Sequence, residues 1–300
     1  MNAIEINSLR KTFNKSVAVD DISLNVEEGE IFGFLGPNGA GKSTTMMILT
    51  TLLKPTSGNA SVCGFDVVSN ASKVRKNIGF VQQEIGIDEY LTARENLKFQ
   101  CRISQISKNK IEKRIDEVIE LVELGEKQDE ASITFSGGMR KRLDLACGLI
   151  HRPKVLFLDE PTVGLDIQTR RRIWEYIRKI HKEFGMTIFV STHYMEEADN
   201  LCDRIGIIDY GKIQIIDTPE SMKDNLENDL ITFSTISEKS KISELVEKLK
   251  TVDLIKNVSV NEFEITVQFS NSTNIIPKIF QISSEIGISI NSFVLNKPTL

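Results

Sequence analysis

The chain has 300 residues, 40% of them hydrophobic and 26% charged, with a formal net charge of -5. That is enough for one large domain or two smaller ones of ordinary soluble composition, and the acidic balance gives no general field for nucleic acid, so no nucleic-acid partner is expected. No apolar run nears the roughly 20 residues of a membrane span, and Met1-Asn-Ala-Ile-Glu-Ile-Asn7 lacks the basic-then-apolar order of a secretory leader.

In chain order, Ala3–Ile6, Ser16–Val19 and Ile22–Val26 alternate as strands. Glu28-Gly-Glu30 is a turn into a buried strand, Glu30–Leu35, and a helix is expected over Thr44–Leu53. Between them runs Gly36-Pro37-Asn38-Gly39-Ala40-Gly41-Lys42-Ser43-Thr44, which fits the phosphate-binding pattern G-x-x-x-x-G-K-[ST]. The glycines let the backbone curl and turn its N–H groups inward, and the helix start adds its positive dipole end. Lys42 is placed to reach the β- and γ-phosphates of ATP, and Ser43 to ligate Mg²⁺.

Residues 84–150 read as helix-rich, with Ile111, Ile115, Val118, Ile119 and Val122 at helical spacing. Phe135-Ser136-Gly137-Gly138-Met139 opens a helix over Arg140–Ile150 and makes a second anion-binding helix start. Alone, Ser-Gly-Gly is a common turn; its place before the next strand gives it weight. Two phosphate-binding helix starts in one domain imply that the second serves nucleotide held by another copy. The strand Val155–Leu158 delivers Asp159 to hold Mg²⁺, and Glu160 follows to activate a water against the γ-phosphate.

A helix over Gln168–Phe184 leads to a strand, Met186–Val190, which should neighbour the Asp159 strand. His193 emerges from it toward the γ-phosphate. Arg170-Arg-Arg172, Arg178 and Lys179 read as the solvated face of that helix. Ile205–Ile208 and Ile213–Ile216 form a hairpin through Tyr210-Gly211. Strands alternating with helices imply an α/β fold with a mainly parallel sheet. Composition shifts after residue 218, with a boundary at Glu227-Asn-Asp229. The tail reads as strand 230–235, helix 241–251, strands 256–260 and 264–269, helix 274–285 and strand 288–295, the ferredoxin-like order. The expected domains are thus residues 1–218 and 219–300. Cys63, Cys101, Cys147 and Cys202 are far apart and read as reduced structural thiols, and His151, His181 and His193 complete no metal spacing.

These motifs together resemble the ATP-binding cassette (ABC) ATPases over nearly all of residues 1–217. Glu160-Pro-Thr-Val-Gly-Leu-Asp166 matches the D-loop, with Asp166 its acid. Ile78-Gly-Phe-Val-Gln-Gln83-Glu resembles the Q-loop, which implies Gln83 as a further Mg²⁺ ligand and catalytic participant. Phe13 sits where the family stacks an aromatic on adenine, and the neighbouring Asn14 favours a turn. The run Phe135-Ser-Gly-Gly-Met139, which matches the family's signature motif, the His151-Arg-Pro-Lys run and Thr162-Val-Gly-Leu-Asp are similar to ATPase subunits of daunorubicin-resistance-type exporters. The resemblance implies an ATPase that pairs with a second copy, sandwiches Mg-ATP and drives separately encoded integral membrane subunits from the cytoplasmic face. The docking surface is expected near Tyr90–Ala93 and Asn96-Leu97. Two departures stand out. Met139 cannot donate the hydrogen bonds of the family's glutamine, so the signature contact rests on Ser136 and backbone amides. The chain stops at Lys297-Pro-Thr-Leu300, where the subgroup continues, which implies a shortened end. The alternative is a soluble ABC ATPase without transport; its ribosome-acting members carry two cassettes in one chain and its chromosome-type members a long coiled coil, neither of which is present.

Overall fold

The computed structural model describes residues 1–14, 16–225, 229–235, 239–252, 255–261, 264–269, 275–288 and 290–296. The expected boundary at 227–229 and the chain end at 297–300 lie wholly or partly outside them. The chain divides into two compact units, Met1–Thr218 and Pro219–Leu300.

In the first unit, β1 (Asn2–Phe13) and β2 (Ser16–Glu27) pair antiparallel, and β4 (Ser57–Val62) and β5 (Phe65–Asp66) complete a sheet of order β2-β1-β4-β5. Ile22, Leu24 and Val26 are buried while Ser23, Asn25 and Glu27 are exposed, the period-2 pattern of a sheet with one covered face. The first two strands run longer than their apolar cores suggest. Irregular steps in register between Ile6, Leu9 and Lys11, and left-handed Ser8 (φ 47°), absorb the polar interruptions.

The second sheet has the order β10-β9-β3-β8-β7-β6. Its strands are β3 (Ile31–Leu35), β6 (Ile78–Val81), β7 (Val155–Asp159), β8 (Thr187–Thr192), β9 (Arg204–Asp209) and β10 (Lys212–Asp217). All neighbours are parallel except β9 and β10. Every residue of β3, β7 and β8 is buried, as both-sided coverage of a parallel sheet requires. Phe189 is the hub, with ring centroids 5.5 Å from Phe32 and Phe34 and 5.7 Å from Phe157. The strand at 187–192 does lie beside the Asp159 strand. It outruns the expected end at Val190, because Ser191 and Thr192 continue the ladder against Asp159 and Leu35.

The helix after the glycine loop, α1 (Lys42–Leu49), is shorter than expected. Thr50 turns its hydroxyl back onto Met46 O at 2.8 Å and Thr51 takes φ 66°, which ends the helix. After α2 (Ala71–Asn77), the helix-rich stretch contains α3 (Ala93–Ile103), α4 (Lys108–Leu121) and α5 (Gly137–Leu149) around its own core of Leu97, Ile115, Ile119, Leu143 and Ala146. Thr92 and Glu95 form a reciprocal capping box at the start of α3. Then come α6 (Ile167–Phe184) and α7 (Met195–Leu201).

The second unit opens with α8 (Pro219–Asn225), then β11 (Asp229–Ser234), α9 (Lys239–Lys250), β12 (Ile255–Asn261), β13 (Glu264–Phe269), α10 (Ile275–Ile286) and β14 (Ser292–Asn296). The sheet order is β12-β13-β11-β14 with every neighbouring pair antiparallel. Its core is separate and includes Ile231, Phe233, Leu245, Ile265, Val267 and Ile279. The last strand starts later than expected: Gly287 (φ 74°) stops α10 and Ile288 is spent on the core.

Trp174 is the chain's single tryptophan and is buried in the first unit, so its fluorescence reports that unit. Phe189→Ala should cost about 3–5 kcal/mol through the cavity it leaves. Urea unfolding followed at Trp174 should show the loss as a lower midpoint with an unchanged slope.

Candidate active site

Three in-register strands end side by side: Leu35 of β3 pairs with Thr192 of β8, and Asp159 of β7 pairs with Ser191. The glycine loop leaves the first of these ends. Gly36 N–H donates to Thr192 O at 3.1 Å, which ties loop to strand. Gly41 caps α1 with φ 107°, and a Cβ there would stand 2.4 Å from Ala18 O, so both conformation and space demand glycine. Ala40 O accepts from Gly211 N–H, which seats the loop against the β9–β10 turn.

Lys42 is only 4% exposed. Its ammonium donates to Gly36 O at 2.7 Å and Pro37 O at 3.0 Å, and lies 3.2 Å from Glu160 Oε1. Three oxygens thus match its three donors. Glu160, 7% exposed, takes the left-handed conformation at φ 46°. That costs a non-glycine residue about 1–2 kcal/mol, and here it swings the carboxylate off the strand and into the cleft. Its N–H is pinned by Ser191, to the carbonyl and to Oγ, both at 3.1 Å. Glu160 Oε2 lies 3.1 Å from His193 Nδ1, a close approach whose alignment makes no hydrogen bond and leaves Nδ1 otherwise unpartnered. The His193 ring packs on Tyr194 at 4.1 Å between centroids.

Ser43 Oγ donates to Asp159 Oδ1 at 3.3 Å, and Ser191 Oγ donates to the same oxygen. A hydroxyl beside a carboxylate, both oxygen ligands on rigid strand and helix ends, is the donor set Mg²⁺ prefers. Among the described residues there is no cluster of three or more His, Cys, Asp or Glu that could hold a metal unaided. Ser43 and Asp159 thus offer two oxygens that suit such an ion.

Asn38, Gly39, Gly41, Lys42, Ser43, Thr44, Gln83, Glu160 and His193 line one cleft of about 420 Å³. Ala18 lines it too, as does Val163 from the middle of the Glu160–Asp166 motif; neither was singled out from the sequence. Ser191 was also missed; its signal was a hydroxyl at the polar end of an apolar strand. Phe13 is half-exposed at the end of β1 and does not line the cleft; Lys11 Nζ sits over its ring at 5.0 Å. Asn14 turns at φ 50°, as a turn residue should.

The signature is elsewhere on the unit. Ser136 caps α5 by accepting Met139 N–H at 3.3 Å. With Gly138, Met139, Thr169 and Arg172 it borders a different cavity, of about 440 Å³. A Cβ on Gly138 would meet Thr169 Cγ2 at 2.5 Å, so α5 and α6 touch there. Gly137 lies between the two at the helix start. Asp166 joins neither cavity's lining. It caps α6, accepting Thr169 N–H at 3.0 Å and Thr169 Oγ1 at 2.6 Å, and those bonds hold its carboxyl below the usual range. Within one chain, then, the fold gathers Lys42, Ser43, Gln83, Asp159, Glu160 and His193 and keeps Ser136–Gly138 apart.

Residues 19–163 match the family described as ABC transporter. The chain is 35% identical to the linearmycin resistance ATP-binding protein of Bacillus subtilis, covering 99% of this chain and 95% of that one. It is 42% identical to the daunorubicin/doxorubicin resistance ATP-binding protein of Streptomyces peucetius, covering 76% and 69%. A solved dimeric ATP-binding cassette in a post-hydrolysis state, bound to ADP and Pi, matches with a TM-score of 0.64 at 28% identity, covering 72% of this chain and 98% of that one. The chain belongs to the ABC transporter family. It is an ATP-binding, ATP-hydrolysing subunit with the P-loop ABC ATPase fold.

Behind the cleft, Glu197 of α7 is fully buried, and its Oε1 accepts from Thr162 Oγ1 and Trp174 Nε1, both at 2.8 Å. Burial pushes its carboxyl up, partly offset by hydrogen bonds from Thr192, Trp174 and Thr162. The fold therefore holds a proton there that the unfolded chain releases sooner. Its stabilisation is complete below the ordinary carboxylate range and is lost as pH rises through the raised folded value. Glu197→Gln removes this dependence. Denaturation of both proteins across pH 4–8 should show the variant gaining on the parent as pH rises; parallel profiles would refute the assignment.

Proposed function

We propose that two copies of this chain sandwich two Mg-ATP molecules, and that their closure drives export through separately encoded integral membrane subunits. The observation that carries the reading is the separation just described: the P-loop half of the site and the Ser136 half lie in different cavities of one chain, so a second copy must supply the missing half. The dimeric cassette bound to ADP and Pi supports the pairing. The names of the relatives, resistance and export ATP-binding proteins, support transport of a drug-like or lipid-like amphiphile.

In this reading Lys42 exchanges its Glu160 contact for β- and γ-phosphate oxygens, so ATP entry frees the carboxylate. Glu160 then takes a proton from the attacking water, and its pinned backbone holds it in line. His193 reaches the γ-phosphate. Ser43 and Asp159 hold Mg²⁺, with Gln83 entering from the loop side. The ion supplies neutralisation of charge building on the phosphate oxygens. Ser136 and the N–H groups of Gly137 and Gly138 cap the partner copy's γ-phosphate. Phe13 stacks on adenine, for which its half-exposed ring is available. Asp166, at the exposed start of α6, faces the partner copy. Residues 219–300, whose strand order is that of a ferredoxin-like unit, contribute no nucleotide ligand.

Among the described residues no helix is long and apolar enough to cross a membrane. Attachment at the cytoplasmic face therefore comes through the membrane partner. The expected docking stretch needs one revision: Asn96 and Leu97 are buried, whereas Tyr90 is 82% and Phe99 60% exposed, so these two aromatics are offered to that partner.

Glu160→Gln should bind ATP with near-parental affinity, lower turnover by roughly a thousandfold and accumulate a closed dimer. Stopped ATPase assays with size-exclusion chromatography check both. Shared sites are tested by mixing subunits. Lys42→Ala and Ser136→Arg homodimers should each be inactive, while the mixed dimer holds one site with both lesions and one with none. Mixing should restore part of the ATPase activity, and a failure to do so in proven heterodimers sinks the shared-site arrangement.

A further inference from the structure

Gln83 lines the nucleotide cleft, but the backbone on either side of it is held from the opposite direction. Lys141 and Asp144 stand one turn apart on the buried face of α5. Lys141 Nζ donates to Gln82 O at 2.8 Å, and Gly86 N–H donates to Asp144 Oδ1 at 3.2 Å. The ammonium and carboxylate approach to 3.5 Å. Both ends of the 82–86 loop are therefore bonded to one side-chain pair. That pair sits on the helix that Ser136 caps, within two turns of the cap.

We propose that Lys141 and Asp144 form a buried tether that makes the Gln83 loop and the signature helix move as one body. The proposal rests on the reading of Gln83 as a contact to the γ-phosphate side of the nucleotide. Under it, γ-phosphate in one site pulls the loop, and the tether carries that displacement along α5 to the Ser136 presented to the other site. Lys141 and Asp144 are positioning residues; neither lines the cleft.

The electrostatics favour this role over simple packing. Lys141 is 3% and Asp144 7% exposed. Burial pushes the Lys141 ammonium down and the Asp144 carboxyl up, each partly offset by the other's charge. A buried ion pair of this kind seldom stabilises a fold more than apolar residues of the same volume. What apolar residues cannot do is bond a carbonyl and an N–H of a neighbouring loop. Beyond Gly86 the chain is already held to the helical layer, with Ile87 packed on its core and Glu89 paired with Arg140 of α5 at 2.6 Å, and the Lys141 and Asp144 bonds extend that attachment back to Gln82, next to β6.

The test uses the full chain with nitroxide labels at Glu84→Cys in the loop or Thr134→Cys just before the signature, both exposed positions. Cys63 and Cys147, the partly accessible native thiols, are changed to serine. Spectra are compared with Mg²⁺ plus a non-hydrolysable ATP analogue and with Mg-ADP. In the parent both labels should distinguish the two nucleotides. In Lys141→Met/Asp144→Leu, the Glu84 label should still distinguish them while the Thr134 label no longer does, and kcat should fall roughly tenfold with KM for ATP within about threefold of the parent. If the folded double variant keeps its Thr134 response and parental kcat, the tether is wrong. If the Glu84 label fails to distinguish the nucleotides in the parent, the Gln83 reading itself fails and takes the tether with it. Lys141→Met/Asp144→Asn keeps an acceptor for Gly86 and cuts the Gln82 bond together with the ion pair. Should the first variant not fold, it is judged by the same Thr134 response and kcat.

Discussion

Everything at the site follows from the register of three parallel strands. β3, β8 and β7 end level with one another, so a glycine loop, a hydroxyl pair and an acidic pair emerge within hydrogen-bonding distance. A register slip of one residue in any of them would turn Asp159 or Ser191 to the other face of the sheet. The stacked Phe32, Phe34, Phe157 and Phe189 make that register costly to change, because each ring fills a pocket shaped by its neighbours.

The polar groups at those ends constrain one another. Ser191 bonds the backbone of Glu160 and the side chain of Asp159, while Asp159 accepts from Ser43. Lys42 is held by two loop carbonyls and by Glu160. Buried charges are tolerated only when paired and hydrogen-bonded. Here the pairing also fixes where each charge points, so the geometry of the cleft is held in place and the strained φ of Glu160 is supported from Ser191.

Helix α5 relates this centre to the rest of the unit. Its second residue after the Ser136 cap, Gly138, packs against α6, and its buried face carries the Lys141–Asp144 pair toward the 82–86 loop. The helix has its hydrophobic core with α3 and α4, so it belongs to a packed layer of its own while bonding to the loop whose Gln83 lines the cleft. Its far end packs closely on β6, where a Cβ on Gly148 would stand 2.7 Å from Val81 Cγ2.

Much of the candidate site was legible in the sequence because its motifs are local. The glycine loop, the Asp159-Glu160 pair at the end of an apolar strand and the Ser136 helix start each depend on a few consecutive residues whose backbone demands are strong. Periodicity located the strands and helices for the same reason, including the sheet–helix alternation of residues 229–296. Tertiary structure decided what depends on neighbours distant in the chain. It ended α1 at Leu49 through a threonine bond, extended β8 to carry Ser191 into the site, and buried Asn96 and Leu97 in a surface expected to be exposed. It placed Asp166 as a helix cap and left Phe13 beside Lys11, outside the cleft. It also joined Lys141 and Asp144 to residues some sixty positions earlier in the chain. A side chain's partner across the fold is set by packing and register, and no local pattern of hydrophobicity or glycine encodes either.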